Sequence, residues 1–337
     1  MKSVTHISKY TNNVSDKKRS IGSMIYTVTL NPAIDLVIVT QSLKPNTVNR
    51  TEKFELQPNG KGVNVSVILN KLGVKNVATG IGGGFTLDYI QKCLEKKGIP
   101  THFLKVKEPT RVNVFTRVLD ENVEYKEVNP GPEVNIETQT KFISYLRETL
   151  QKDDTIIISG SFSKGIKKDY LVEIAKVVHE KRAKLVIDCS SKVVLETLKY
   201  QPYLLKPNDE ELASFFDVDD KLTDEKIVEL ANRLIDAGYQ NVLVSLGARG
   251  AAFINKDHVY WGNAPKVQAL NTAGAGDTML GTFIGKQELG MTASESLKQA
   301  IAAGSDTATR TGLTDFDLEK YLNQIDVEER KNQNGSI

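Results

Sequence analysis

DTIIISGSFSKGIKKDYLVEIAKVVHEKRAKLVID, residues 154–188, contains the repeating unit that decides the fold. A short β-branched run (DTIIISG, 154–160) leads into an amphipathic stretch (168–181), and a second apolar run, KLVID (184–188), follows at once. Such runs read as buried strands and the stretch between them as the crossover helix of a parallel pair. The same rhythm extends in both directions. Upstream lie strand IYTVTL (25–30), helix 61–73 closed by Gly73, strand 76–82, helix 88–98 ending at a glycine, and helix 135–151. Downstream come PYLLK (202–206), a helical run at 223–236, and NVLVSL (241–246). The alternation predicts an α/β fold with a doubly wound, mostly parallel sheet, whose ligands sit at the carboxyl ends of the strands.

Two segments break the rhythm. Residues 34–56 and 111–128 alternate apolar with polar and carry turn signals at Lys44-Pro45-Asn46 and Asp120-Glu121-Asn122. They read as antiparallel strands that pair into a small β-sheet lid. Residues 1–23 are polar, aperiodic and lack the apolar core of a secretory signal, so they read as a disordered extension outside the fold. The organised domain spans 24–325, and 326–337 reads as a loose tail.

The charge balance, 44 basic against 42 acidic residues, leaves no basic block for nucleic acid or a membrane surface. Two distant cysteines, Cys93 and Cys189, form no disulfide framework and fit a reducing cytoplasm; with four scattered histidines they give no transition-metal spacing.

The chemistry is concentrated in NTAGAGDTMLGTFIG (271–285). Gly274, Ala275 and Gly276 strip side chains from the start of a helix, whose first N–H groups lack partners and carry positive partial charge. That arrangement suits phosphate oxygens. Asp277 in the same turn would repel a phosphate, but it makes sense as a base that takes a proton from an attacking hydroxyl. The bland alternative is a helix N-cap. Familiar phosphate motifs fail: neither GKG (60–62) nor GKQ (285–287) completes a Walker loop, and Phe85 spoils the dinucleotide fingerprint in GIGGGF (80–85).

PNGKGVNV (58–65), SGSFSKG (159–165), KPNDEEL (206–212), SLGARG (245–250) and TAGAGDT (272–278) occur in the order seen in PfkB (ribokinase-like) carbohydrate kinases, and the chain resembles that family over 24–325. TLNPAID (29–35), GGFT (83–86), TRVNV (110–114) and NPGP (129–132) narrow the likeness to the 1-phosphofructokinase and tagatose-6-phosphate kinase branch. The resemblance implies Asp277 as catalytic base, with the amides of Ala275, Gly276 and Asp277 as the anion hole that Gly274 opens. It implies Asp35 as the acid that binds sugar hydroxyls, Gly60, Lys61 and Asn64 lining the sugar, and Arg111, helped by Asn113, on the substrate phosphate. Lys206, Asn208, Ser245, Gly247 and Gly250 would border ATP, and Glu211 would organise Mg²⁺ through water.

Each position has a plainer reading: a turn aspartate at 35, a solvated arginine at 111, a surface acidic cluster at 209–211, a hairpin turn at 245–250. Lys61 opposes the dipole of the helix it begins, a cost that calls for a purpose. Asn59 stands where many relatives have a second glycine. The implied function is ATP-dependent phosphorylation of a ketohexose phosphate, fructose 1-phosphate to the 1,6-bisphosphate first, tagatose 6-phosphate second. A sensor that binds sugar phosphate without catalysis is the rival from another class. An exposed lid strand could also pair with a second copy.

Overall fold

The computed structural model describes residues 23–332. The extension expected over 1–23 therefore lies outside the described residues, save its last one. In chain order, β1 (Ile25–Thr29) leads to β2 (Ala33–Thr40), β3 (Lys53–Asn59), α1 (Lys61–Lys71), β4 (Asn76–Gly83), α2 (Gly84–Glu95), β5 (Thr101–Val106), β6 (Arg111–Val118) and β7 (Val123–Glu127). Next come α3 (Ile136–Thr149), β8 (Thr155–Ser159), α4 (Tyr170–Glu180), β9 (Lys184–Asp188), a 3₁₀ stretch (Lys192–Tyr200), β10 (Leu204–Leu205), α5 (Asp209–Phe215), α6 (Asp224–Ala237) and β11 (Asn241–Ser245). The chain ends with β12 (Ala251–Asn255), β13 (His258–Gly262), α7 (Ala275–Glu288), α8 (Ala293–Ala308), α9 (Glu319–Leu322) and β14 (Val327–Lys331).

Among the described residues ten strands form one sheet in the order β14-β13-β12-β11-β10-β9-β8-β1-β4-β5. The pairs from β5 across to β11 are parallel, and the last three, from β11 to β14, are antiparallel. Alternation along each strand explains the two cores. Ile156, Ile158, Leu185 and Ile187 face α3, α4 and α6, whereas Ile157 and Val186 face α1, α7 and α8. Both faces are covered, which is why the central strands read as continuous apolar runs. The order reverses at β1, with β4 on one side and β8 on the other, and this opens a crevice at the carboxyl ends of β1 and β8.

The lid is a four-stranded sheet, β3-β2-β6-β7. Its two hairpins are antiparallel as expected, but its central pair, β2 with β6, runs parallel. The reason is positional: β2 follows β1 and β6 follows β5, so both leave the same edge of a parallel sheet in the same direction.

The expectation of a loose tail over 326–337 needs correction up to residue 332. Val327–Lys331 pairs antiparallel with β13, from Gly262↔Val327 to His258↔Lys331. VEERK has no apolar alternation to announce a strand. Its pairing rests on the backbone ladder, on Tyr260 Oη donating to Glu329 Oε1 at 3.0 Å, and on the reciprocal amide pair of Asn232 and Asn332. Residues 333–337 lie outside the described part.

Candidate active site

SGSFSKG, KPNDEEL and SLGARG follow the carboxyl ends of β8, β10 and β11, while side-chain bonds join PNGKGVNV to TAGAGDT and to the end of β9. Gly60 caps α1 at φ 130°, and a Cβ there would lie 2.7 Å from Thr29 Cγ2; at Gly62 it would lie 2.5 Å from Thr29 Oγ1. The two glycines let the start of α1 press directly on the end of β1. Gly274 caps α7 in the left-handed region at φ 78°, where a side chain would be strained.

Asp277 falls in the first turn of α7, three residues after the cap, and Gly274 makes no side-chain capping bond. The helix-cap alternative is therefore excluded: the buried carboxylate instead accepts from Asn64 Nδ2 at 2.8 Å. Burial, reinforced by the like charge of Asp188, raises its pKa to about 6 against the opposing pull of Asn64, Lys61 and Lys206. A carboxylate of that basicity is suited to accepting a proton near neutral pH. Of the three amides expected in the anion hole, Ala275 N–H turns back onto Thr272 O at 3.2 Å. Gly276 and Asp277 remain at helix positions whose N–H groups have no intrahelical partner.

Asp188, the last residue of β9, was not anticipated from the sequence. It is fully buried, and its Oδ1 accepts from Lys61 Nζ and Lys206 Nζ, each at 3.2 Å. Burial alone would raise the Asp188 pKa; Lys206 and Lys61 outweigh it and hold the carboxyl below its ordinary value. Burial likewise would lower Lys61, but Asp188, Asp277 and Glu211 hold it up and keep it charged. This explains a lysine at the head of a helix: its charge is matched by a buried anion beneath it. Lys206 approaches the anion hole, since a Cβ at Gly276 would lie 3.6 Å from its Nζ. Only position could have revealed Asp188: it is the acid at the carboxyl end of a central parallel strand.

On the lid side, Asp35 is buried on β2 directly opposite Asn113 on β6, and Asn113 Nδ2 donates to Asp35 Oδ1 at 2.8 Å. Burial raises the Asp35 pKa, opposed by Asn113, Asn59 and the nearby Arg111 charge. Half-buried Arg111 donates to the carbonyls of Asn31 and Asn129 at 3.2 Å each, while its Nε has no partner. Its guanidinium is thus held by two backbone carbonyls rather than freely solvated at the surface. The TLNPAID, NPGP and SGSFSKG loops close on each other here: Asn31 bonds Ser161 and Ser163, and a Cβ at Gly131 would strike Asn31 Oδ1.

Asn208 and Glu211 are not simply side by side on a helix face. They interlock as the capping box of α5, with Asn208 Oδ1 accepting from Glu211 N at 2.6 Å and Glu211 Oε2 from Asn208 N at 2.9 Å. A three-residue spacing puts two side chains on one helix face, and it is equally the spacing of a cap. Asn208 bridges to Ser245 at the end of β11. Gly247 and Gly250 lie in the tight connection between antiparallel β11 and β12, so the segment is a hairpin turn. Gly247 is open to solvent, and Arg249 ties the turn to Asp209 and Asp224 at the heads of α5 and α6.

Hard oxygen donors for a cation exist at Asp188 Oδ2, a buried atom without a partner, and at the Glu211 oxygen outside the cap. Among the described residues no three His, Cys, Asp or Glu side chains gather to hold a metal. Such a donor set fits a cation that keeps most of its own waters, as Mg²⁺ does.

A buried acid of raised basicity, bare helix amides and two lysines have the chemistry that moving a phosphoryl group onto a hydroxyl requires. The family model described as pfkB family carbohydrate kinase matches residues 21–320, and the chain belongs to that family. It is 40% identical to a D-tagatose-1-phosphate kinase from Bacillus licheniformis over 90% of this chain and 99% of that one. It is 34% identical to a 1-phosphofructokinase from Borreliella burgdorferi over 91% and 99%. Among solved structures, Escherichia coli phosphofructokinase-2 in complex with fructose-6-phosphate superposes with a TM-score of 0.81 at 25% identity, covering 90% of this chain and 99% of that one. The tetrameric inhibited form of the same enzyme gives 0.82. The expected α/β fold with its second small sheet and the assignment to the sugar-phosphate kinases hold.

Proposed function

We propose that the protein transfers the γ-phosphoryl group of ATP to a ketohexose 1-phosphate, with fructose 1-phosphate and its C4 epimer tagatose 1-phosphate as the candidate substrates. The observation that carries this is Asp277: a buried carboxylate, pinned by Asn64, at the first turn of a glycine-opened helix. The two relatives described above bear a 1-phosphate in their names, which favours this class over tagatose 6-phosphate.

Asp35 accepts hydroxyls of the sugar with the lone pairs left over from its amide partners, and Arg111 grips the sugar's own phosphate with its planar fork. Asp277 takes the proton of the attacking hydroxyl. The oxyanion charge on the transferred group meets the Gly276 and Asp277 amides and the Lys206 and Lys61 ammonium groups. The turn 245–250 and Asn208 border the nucleotide. Glu211 and Asp188 would hold Mg²⁺ through water, and the bound ion would supply neutralisation of the ATP phosphates. The lid excludes water while the sugar sits beneath it.

ATP as co-substrate is consistent with a cytoplasmic setting, as are the two free cysteines. Among the described residues no helix is long and apolar enough to cross a membrane. Phe54, Leu56 and Tyr125 are exposed on the lid face opposite that of Asp35 and Asn113, a surface suited to a second copy of the chain. ADP release measured against a panel of hexose phosphates tests the assignment. Turnover with ketohexose 1-phosphates above all others supports it. Binding without turnover favours the sensor.

A further inference from the structure

The Asn59 side chain has no part in the reaction as described, yet it joins the two carboxylates that do. It is the last residue of β3 and half-buried. Its Nδ2 donates to Asp35 Oδ2, and its Oδ1 accepts from Gly60 N–H at 2.6 Å and from Asn64 Nδ2 at 3.0 Å. Asn64 Nδ2 goes on to Asp277 Oδ2 at 2.8 Å, and Asn113 Nδ2 closes the other end on Asp35 Oδ1 at 2.8 Å. An unbroken run of five side chains thus leads from the lid strand β6, through β2 and β3, past the head of α1, to the first turn of α7.

The sense of this run is fixed by a backbone group. An asparagine amide can in principle point either way, but Gly60 N–H can only donate. Asn59 must therefore turn its oxygen to α1 and its NH₂ to Asp35. That oxygen then demands the NH₂ of Asn64, which directs the same NH₂ to Asp277. With Asn64 reversed, a carbonyl would face both a carbonyl and a carboxylate, and no bond would form.

We infer that Asn59 is a positioning residue that couples the lid to the proton-accepting carboxylate, holding Asp35 for the sugar hydroxyls and turning Asn64 to donate to Asp277. The inference rests on the kinase reading above. The charges facing Asp277 are Asp188 from β9, Lys61 from α1 and Lys206 from the segment after β10, with Glu211 of α5 acting on Lys61; Arg111 of β6 faces Asp35. Asn59 is neutral, so replacing it leaves all of these in place.

The test is steady-state kinetics on the full chain as a function of pH. Asn59→Ala should raise KM for the ketohexose 1-phosphate about 10-fold through Asp35. It should lower kcat on the alkaline plateau about 10-fold through misalignment. It should also move the acid limb of kcat, read with sugar bound at Asp35, upward by about one pH unit, because Asp277 loses its oriented donor. In an Asn64→Ala background the same change should leave that limb of kcat unmoved yet still raise KM, a non-additivity confined to one arm. A merely structural residue would not separate the two. An Asn59→Ala acid limb coincident with wild type, or shifts that add in full in the double variant, would overturn the inference. Asn59→Gly removes the same arms and replaces Asn59→Ala if that variant does not fold. Wild-type turnover is the separate test of the kinase reading. Were it absent, the pH dependence of thermal stability would report the Asp277 titration directly, with the same upward shift expected in Asn59→Ala and an unshifted titration counting against the inference.

Discussion

Replacing Asp277 by Asn should destroy activity and, above neutral pH, stabilise the fold. The carboxyl pKa rises from the ordinary 3.8 to about 6, first through burial and then through Asp188. That rise corresponds to about 3 kcal/mol, an order-of-magnitude figure, by which the folded state resists ionising this group. The folded protein holds the proton more tightly than the unfolded chain. Stability is therefore lost as pH climbs between the unfolded value near 3.8 and the folded value near 6, and the full cost persists above it. The amide oxygen of the Asp277→Asn variant would accept the same Asn64 bond without the charge, so the variant escapes this cost. For a chain of this size about 3 kcal/mol is a rise in melting temperature of roughly 4–5 °C. Thermal melts at pH 8 should show that gain and melts near pH 4 should show none, while turnover falls by about 10²–10⁴. A variant that loses turnover but melts no higher than wild type at pH 8 would refute the claim that the fold pays to keep this acid ionised.

Asp188→Asn should leave Lys206 buried beside a neutral amide, at a cost of about 3–5 kcal/mol in urea unfolding. In the same variant the acid limb of kcat/KM should move down in pH, because Asp277 loses its like-charged neighbour and keeps both lysines; an upward move would contradict the assignment. Arg111→Ala should raise KM for a ketohexose 1-phosphate by 10-fold or more, roughly the loss of a charge-assisted bond, and leave KM for ATP unchanged. Equal effects on both would remove the phosphate anchor. Arg249→Ala frees the 245–250 turn from Asp209 and Asp224 and should raise KM for ATP by a few-fold, roughly 2- to 10-fold, with KM for the sugar unaffected.

How much could be read from the sequence depended on what held each piece in place. Ile156–Ile158 and Leu185–Ile187 are strands because their side chains are buried on both faces, and that burial is visible as composition. The lid hairpins were visible through alternation and turn residues, but not the parallel join of β2 to β6, which depends on where β1 and β5 end. β14 was hidden because VEERK is stabilised by backbone pairing and a few polar contacts. In the site, Asp277, Asp35 and Arg111 sit in glycine-, asparagine- or proline-marked stretches that constrain the backbone. Asp188 ends an ordinary apolar strand, and Asn59 reads as a turn residue. Their importance lies in partners 127 and 24 residues away along the chain, which no local pattern encodes.

Asp188, one of the two residues that were hard to read, solves a conflict that the legible ones create. A phosphoryl-transfer site needs cations near the migrating charge, the role proposed above for Lys61 and Lys206. The same cations, left alone, would draw down the pKa of any carboxylate beside them and leave Asp277 too weak a base. Asp188 resolves this by taking one bond from each lysine on a single oxygen. Their excess charge at Asp277 is offset, and its own negative charge pushes Asp277 up rather than down. Neutralising Asp188 should thus weaken the base while strengthening the pull on phosphate. The wild-type arrangement holds both because one buried oxygen of the compensating anion takes a bond from each lysine.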